Sequence, residues 1–205
     1  MPDEQVPDYL EPYQAAARRH GAGFGSLLWA SPATQAARFA ALVRAADPAG
    51  RSVLDVGCGR ADFLDYCVAA GRAPAEYYGL EAVPALADAA ARKPHANMTI
   101  LRGDFIAEPV RMFVGAEVVA ISGALNTLDT RNFYATVRTA FAATAHALAF
   151  NFLSSPLLAA APYLVWHPAA EVLKFARSLD RDADVRVLDN YLDGDTTIAI
   201  AKADD

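Results

Sequence analysis

The chain has 205 residues, a formal net charge of −6 at pH 7, and 54% hydrophobic residues. This length suits one domain with a full core, and the composition is typical of a folded globular protein rather than a disordered or fibrous one. Its densest basic cluster is the pair Arg18-Arg19, so the acidic balance argues against a nucleic-acid partner.

The cysteines and the N-terminus favour a cytoplasmic protein. Cys58 and Cys67 show neither a CxxC pattern nor a histidine at metal-ligand spacing, which predicts reduced thiols and no metal site. Residues 1–10 carry proline and acids and lack the apolar region of a signal peptide. Polar residues and prolines interrupt the apolar stretch 145–166, which favours a buried strand and a loop over a membrane segment.

Two helices are predicted before residue 51, Glu11–Gly21 and Pro32–Ala46, with Ser31 capping the second and a flexible glycine-containing loop between them. Apolar strands then alternate with helices. The predicted strands are Ser52–Val56, Tyr77–Leu80, Met98–Leu101, Glu117–Ile121, Ala147–Phe152, Val185–Leu188 and Thr196–Ala201. The predicted helices between them are Ala61–Gly71, Pro84–Lys93, Arg131–Thr144 and Pro168–Leu179.

This alternation predicts an α/β fold with a seven-stranded, mainly parallel sheet and helices on both faces. The sequence Asp193-Gly194-Asp195 contains a hairpin signal, so we expect an antiparallel last strand. We expect a single domain over residues 1–205, with a helical lid segment at residues 1–50 and a ligand-binding core at residues 51–205.

A glycine turn follows the first strand of that core. The segment 53–63 reads VLDVGCGRADF, and such a turn can present backbone N–H groups and a helix N-terminus to an anion. A dinucleotide-binding turn would carry a third glycine where this chain has Asp62, and Asp55 would repel a pyrophosphate. S-adenosylmethionine (SAM) fits better, because it has a carboxylate, an ammonium group and a sulfonium but no phosphate.

Acidic residues follow the next two strands. Glu81 lies about 20 residues after the glycine turn, where an acid that accepts hydrogen bonds from ribose hydroxyls is expected. Asp104, in the sequence RGDF, can accept a hydrogen bond from an adenine amino group, while Phe105 covers the ring.

Together, VLDVGCG, GLE and RGDF resemble the cofactor motifs of class I SAM-dependent methyltransferases, and the resemblance extends over residues 51–202. It implies a Rossmann-like fold, SAM as cofactor, and methyl transfer to an O or N atom of a small-molecule acceptor. Where that family often has a third glycine, this chain has Ala61, which is small enough for close packing. The implied cofactor-binding residues are Asp55, Gly57, Cys58, Gly59, Glu81, Ala82, Gly103, Asp104, Phe105, Ser122 and Gly123.

The acceptor side is less defined. The fourth strand leads into SGALN, which is not the Asn/Asp-Pro-Pro-aromatic loop of enzymes that methylate base amines. Candidate substrate contacts are Trp29, Asn126, Tyr163 and His167, and candidate catalytic residues are His20, His167 and Asn126. Aromatic residues of the N-terminal segment and of the segment after the fifth strand, such as Tyr9, Tyr13 and Trp166, can either line an apolar pocket or pack helices onto the sheet.

Other functions stay open at this point. The fold could serve a non-catalytic binding or accessory module. A nicotinamide oxidoreductase is disfavoured by Asp55 and Asp62, and a tRNA or protein methyltransferase would need a basic stripe beside the pocket. We expect a monomer or homodimer.

Overall fold

The computed structural model describes residues 8–203; residues 1–7 and 204–205, which belong to the predicted lid segment and domain bounds, lie outside the described part. The strands in the described part are β1 (Ser52–Val56), β2 (Glu76–Glu81), β3 (Met98–Arg102), β4 (Val118–Ile121), β5 (Ala147–Leu153), β6 (Asp184–Leu188) and β7 (Asp195–Ala201). The α-helices there are α1 (Glu11–His20), α2 (Pro32–Ala45), α3 (Asp62–Ala69), α4 (Pro84–Ala91), α5 (Thr130–Ala143) and α6 (Ala169–Leu179).

These strands form a seven-stranded sheet in the order β3-β2-β1-β4-β5-β7-β6. Neighbouring strands run parallel except β7, which is antiparallel to both β5 and β6. This topology confirms the predicted Rossmann-like α/β sheet with its antiparallel last strand. The chain order reverses between β1 and β4, so a crevice opens at the carboxyl ends of these strands, where such sheets bind ligands.

Helices cover both faces of the sheet because the side chains of the central strands alternate between two apolar clusters. Leu54 and Val56 of β1 pack in a cluster that includes residues of α5 and α6. Val53 packs in the other cluster with residues of α2 and α3. This double coverage explains why the central strands appear in the sequence as short continuous apolar runs.

The two helices of the N-terminal segment begin and end within one residue of the positions that the sequence predicts. Gly21 adopts φ +58°, which ends α1 at His20, one residue before the predicted end. Ser31 caps α2 as predicted: its hydroxyl accepts a hydrogen bond from the Thr34 N–H, and the Thr34 hydroxyl accepts one from the Ser31 N–H. The loop between the helices is more ordered than predicted, since Phe24–Leu27 forms a 3-10 helical turn.

The long apolar stretch at 145–166 resolves into β5 and a following loop that contains a 3-10 turn at Pro156–Leu158. Across residues 8–203, none of the helices combines the length and the apolar character that crossing a membrane requires.

Candidate active site

A first cavity lies at the carboxyl ends of β1, β2 and β4, with about 590 Å³ of empty space, part of it open to solvent. Its walls include six of the residues that the motifs indicated, namely Gly57, Glu81, Ala82, Phe105, Ser122 and Gly123. Tyr9, Tyr13 and Trp29 of the N-terminal segment also line it. Motif residues from the ends of four strands, β1 to β4, therefore meet around one space.

The glycine turn after β1 brings the backbone close to the cavity. Gly57 has φ +70°, and a Cβ on it would lie 2.4 Å from the Cβ of Ala124, so only glycine fits there. The N–H groups of Gly57 and Cys58 donate to the carbonyl of Leu80, at 2.8 and 3.1 Å. These two N–H groups tie the turn to β2, so they are not free to bind an anion as the glycine pattern predicted. At Gly57, the glycine instead lets the backbone approach Ala124 closely.

Glu81 is a carboxylate fixed at the floor of the first cavity. It is only 7% exposed, and its two oxygens accept hydrogen bonds from the backbone N–H groups of Gly59 and Val83, both at 2.7 Å. Burial raises the pKa of Glu81, while these two hydrogen bonds favour the ionised form and oppose that shift. Each carboxylate oxygen keeps lone pairs for a further donor, so Glu81 can accept hydrogen bonds from a ligand hydroxyl.

Asp104 and Tyr9 join the end of β3 to the start of α1. The Tyr9 hydroxyl donates to Asp104 Oδ2 at 2.6 Å, and the N–H of Ile106 donates to Oδ1 at 2.8 Å. Burial and the contact with Asp104 raise the pKa of Tyr9. Phe105, which follows Asp104, is buried against the cavity. Tyr13 completes this cover, since its hydroxyl donates to the carbonyl of Gly123 at 3.3 Å.

A second, smaller cavity adjoins the first and shares Leu27, Trp29, Gly57 and Ser122 with it. Asp55 lies on its wall, beside Cys58 and Asp62. The hydroxyl of Tyr77 donates to Asp55 at 2.5 Å, but burial dominates and raises the pKa of Asp55 to about 7. A cationic ligand group would therefore find an acid here that is poised between its neutral and ionised forms.

Asp62 holds the glycine turn to the surrounding elements. Arg60 donates to it at 2.7 Å and Lys93 at 3.0 Å. Burial alone would raise the pKa of Asp62, but these hydrogen bonds outweigh it and lower the pKa. Arg60 also donates to the carbonyl of Ala22 at 3.1 Å, which attaches the N-terminal segment to the turn.

A third cavity also borders Trp29, with about 440 Å³ of empty space, part of it open to solvent. Its polar wall is formed by Arg38 of α2 and by Asn126, which follows β4. Asn126 also has a structural role, because its Oδ1 accepts from the N–H of Leu153 at 3.2 Å and its carbonyl from the N–H of Val165 at 2.7 Å. Trp29 lines all three cavities, and a Cβ on Gly123 would lie 3.0 Å from its ring.

Other sequence-derived candidates lie apart from these cavities. His167 is 3% exposed, and the centroid of its ring lies 4.1 Å from that of Phe133 on α5. The backbone N–H of His167 donates to the carbonyl of Leu153, which holds the residue in this position. Burial lowers its pKa. His20 and Tyr163 lie together on a separate groove beside α1. A Cβ on Gly103 would meet the Arg111 side chain at 2.3 Å, so this glycine makes room for Arg111 and does not line the first cavity.

Arg38 is a buried, cavity-lining cation that the sequence analysis did not single out. The available signal was a cation on the apolar side of a predicted helix, next to Phe39 and four residues before Leu42. Within the described residues, no group of three or more His, Cys, Asp or Glu side chains is arranged to hold a metal ion.

No protein-family profile matches the chain, and no curated protein is significantly similar to it in sequence. Solved structures do match its fold. Magnesium protoporphyrin IX methyltransferase (ChlM) from Synechocystis PCC 6803 with bound SAM superposes with a TM-score of 0.67 at 15% identity, over 98% of this chain and 100% of that one. The DhpI–SAH complex gives a TM-score of 0.68 at 16% identity, over 94% of each chain.

A third match is the methyltransferase domain of bacterial CtHen1-CN, with a TM-score of 0.61 at 13% identity, over 83% of this chain and 100% of that one. These likenesses establish that the chain has the fold of class I SAM-dependent methyltransferases. At such low identities, the chemistry depends on the residues of this chain's own cavities.

Proposed function

We propose that the protein is a SAM-dependent methyltransferase that transfers a methyl group to an O or N atom of a small-molecule acceptor. The observation that carries the proposal is the arrangement of the first cavity. Glu81, Phe105 and the Gly57 turn come from separated strand ends and surround one space in the crevice of a methyltransferase fold.

The residues present fit SAM as a ligand. Glu81 keeps free lone pairs for ribose hydroxyls. Phe105 offers an apolar surface for adenine, and Asp104 offers an acceptor for its amino group once the Tyr9 hydroxyl moves away. Asp55, in the adjoining second cavity, offers an acid to the ammonium group of the methionine end. When bound, SAM supplies a methyl group already activated by a positively charged sulfur.

The protein's own contribution would be alignment and exclusion of water. Trp29 lines the first, second and third cavities. Tyr9 and Tyr13 cover the first cavity from the N-terminal segment. Holding two reactants in line can supply several kcal/mol of the barrier, about 7–11 kcal/mol in the best cases. Since His20 and His167 line none of these three cavities, the proposal assigns no general base.

Calorimetric titration with SAM and S-adenosylhomocysteine (SAH) tests the proposal. We expect micromolar binding that Glu81→Gln weakens at least tenfold, or about 1.4 kcal/mol. Glu76→Gln is the matched control, because Glu76 lies on the same strand but is exposed, and its carboxylate accepts a hydrogen bond from the Tyr78 hydroxyl.

Absence of binding by both ligands would overturn the proposal. Binding without formation of SAH from SAM, across a panel of hydroxyl and amine acceptors, would instead indicate a binding or accessory module.

A further inference from the structure

The N-terminal segment leaves little room in the first cavity. Tyr9, Leu10 and Tyr13 form one of its walls, and the strand ends that carry Glu81 and Phe105 form others. Although its empty space includes open solvent, the volume that a water-sized molecule can occupy there is only about 70 Å³. Sites for small molecules typically measure roughly 300–1,000 Å³. SAM therefore fits only after a wall moves, and β1, β2 and β4 are each held by two neighbouring strands.

The wall that can move is α1. Only Ala16 of this helix is buried, and the helix packs mainly on the Phe24–Leu27 turn of its own segment, with few contacts to the strands and the other helices. Beyond the helix, the chain is attached to the core, because Arg60 donates to the carbonyl of Ala22 at 3.1 Å. Gly21 lies between these two parts, and nothing lies within 4 Å of the position that a Cβ would take there. The backbone at Gly21 can therefore serve as a pivot.

The Tyr9 hydroxyl holds this segment in place through the acid that follows β3. It donates to Asp104 Oδ2 at 2.6 Å, a length typical of a strong hydrogen bond to a carboxylate. Asp104 Oδ1 is occupied as well, since it accepts from the N–H of Ile106 at 2.8 Å. Tyr13 donates to the carbonyl of Gly123 at 3.3 Å, which is longer and involves no charged group. Of these two contacts, the one made by Tyr9 is therefore the stronger.

The proposed cofactor needs the same oxygen of Asp104. In the binding mode proposed above, Asp104 accepts a hydrogen bond from the adenine amino group while Phe105 covers the ring. Tyr9 and Phe105 line the first cavity, whereas Asp104 does not. Tyr9 thus stands between the acid and the cavity, and its hydroxyl takes the place of the ligand's donor. A cofactor that reaches Asp104 must replace this hydroxyl.

We propose that Tyr9 is a latch on the cofactor site: its bond to Asp104 holds α1 over the first cavity, and SAM or SAH binds after this bond breaks and α1 rotates away at Gly21. This inference rests on the proposed methyltransferase function and adds a gate to its first step.

Stopped-flow fluorescence with SAH tests the latch, because Trp29 lines the first cavity and its emission responds when a ligand arrives. Tyr9→Phe removes the hydroxyl and keeps the ring. Since the closed form then loses its bond to Asp104, we expect this variant to bind SAH at least fivefold faster than the wild type. Tyr78→Phe is the matched control, because it also removes a hydroxyl that donates to a carboxylate, that of Glu76, away from the cavity. We expect its association rate to equal that of the wild type.

Hydrogen exchange of the α1 amides gives a second readout that needs no ligand. A helix of 10 residues is marginally stable in water on its own, so α1 should exchange its amide protons faster whenever it leaves the core. We expect exchange in α1 to be at least threefold faster in Tyr9→Phe than in the wild type and unchanged in Tyr78→Phe.

An association rate for Tyr9→Phe that equals or falls below that of the wild type would overturn the inference, because a tyrosine that only contacts the bound cofactor gives no faster binding when it is truncated. Equal α1 exchange in Tyr9→Phe and the wild type, or the same acceleration in Tyr78→Phe, would overturn it too. SAH binding with any of these results leaves the methyltransferase proposal standing, whereas absence of SAH binding by all three proteins removes both.

Discussion

The two sides of the crevice are built in different ways. On the side of β1–β3, the groups that face the first cavity lie within a few residues of a strand end and are fixed by nearby backbone, as Glu81 is by Gly59 and Val83. On the side of β4 and β5, the third cavity is assembled from α2, the β4 loop and turns far along the chain. Its anchor is the buried ion pair of Arg38 with Asp195. One side is locally determined, and the other depends on tertiary contacts.

The largest effect that this comparison predicts concerns stability on the side of β4 and β5. Arg38→Met leaves Asp195 buried without its cation, so we expect the free energy of unfolding to fall by about 3–5 kcal/mol in urea titrations. The double variant with Asp195→Asn should recover part of that loss. The exposed pair Arg186–Asp184 is the control, and Arg186→Met should have little effect. Equal stability of Arg38→Met and Arg186→Met would show that the third cavity does not depend on the buried pair.

The next effect concerns cofactor binding on the local side. Gly57→Ala and Gly71→Ala both place a side chain in the left-handed region, at φ +70° and +67°, which costs each about 1–2 kcal/mol of stability. Only the Cβ at position 57 meets another atom, since nothing lies within 4 Å of the one at 71. We expect Gly57→Ala to weaken SAH binding by calorimetry at least tenfold and Gly71→Ala to leave it unchanged. Equal affinities would mean that the turn adapts and that its close approach to Ala124 is dispensable.

The smallest effect is a pH dependence of the same binding step. Burial raises the pKa of Asp55 to about 7, so the acid is mainly neutral at pH 6 and mainly ionised at pH 8. The ammonium group of SAH favours the carboxylate, so we expect SAH affinity to fall a few-fold as the pH is lowered through 7. Asp55→Asn should bind more weakly at pH 8 and show a flatter profile. An unchanged slope in that variant would assign the pH dependence to another group.

The fold was predictable because its signals are local. Every predicted strand agrees with the structure to within one residue at each end, since each is a short apolar run bounded by turn residues or by helical patterns. The positions of Glu81 and Phe105 followed from the same logic, because residues at the ends of neighbouring parallel strands meet at one edge of the sheet.

The positions of His167 and Arg38 were not predictable, for the opposite reason. His167 has the chemistry of a catalytic residue, but the loop after β5 returns the chain to α5 and packs its ring on Phe133. The neighbours of Arg38 in sequence indicate a buried cation but not its partner, because Asp195 reaches it through the antiparallel placement of β7 beside β5. Pairings of this kind exist only once the sheet has formed.

The position of Trp29 couples the shapes of the three cavities. Because this one side chain borders all three cavities, a substitution that reshapes the third cavity at Trp29 also reshapes the other two. Leu158, Leu164 and Leu192 border the third cavity and neither of the others. Substitutions at these leucines can therefore reshape the third cavity while the first and second keep their walls.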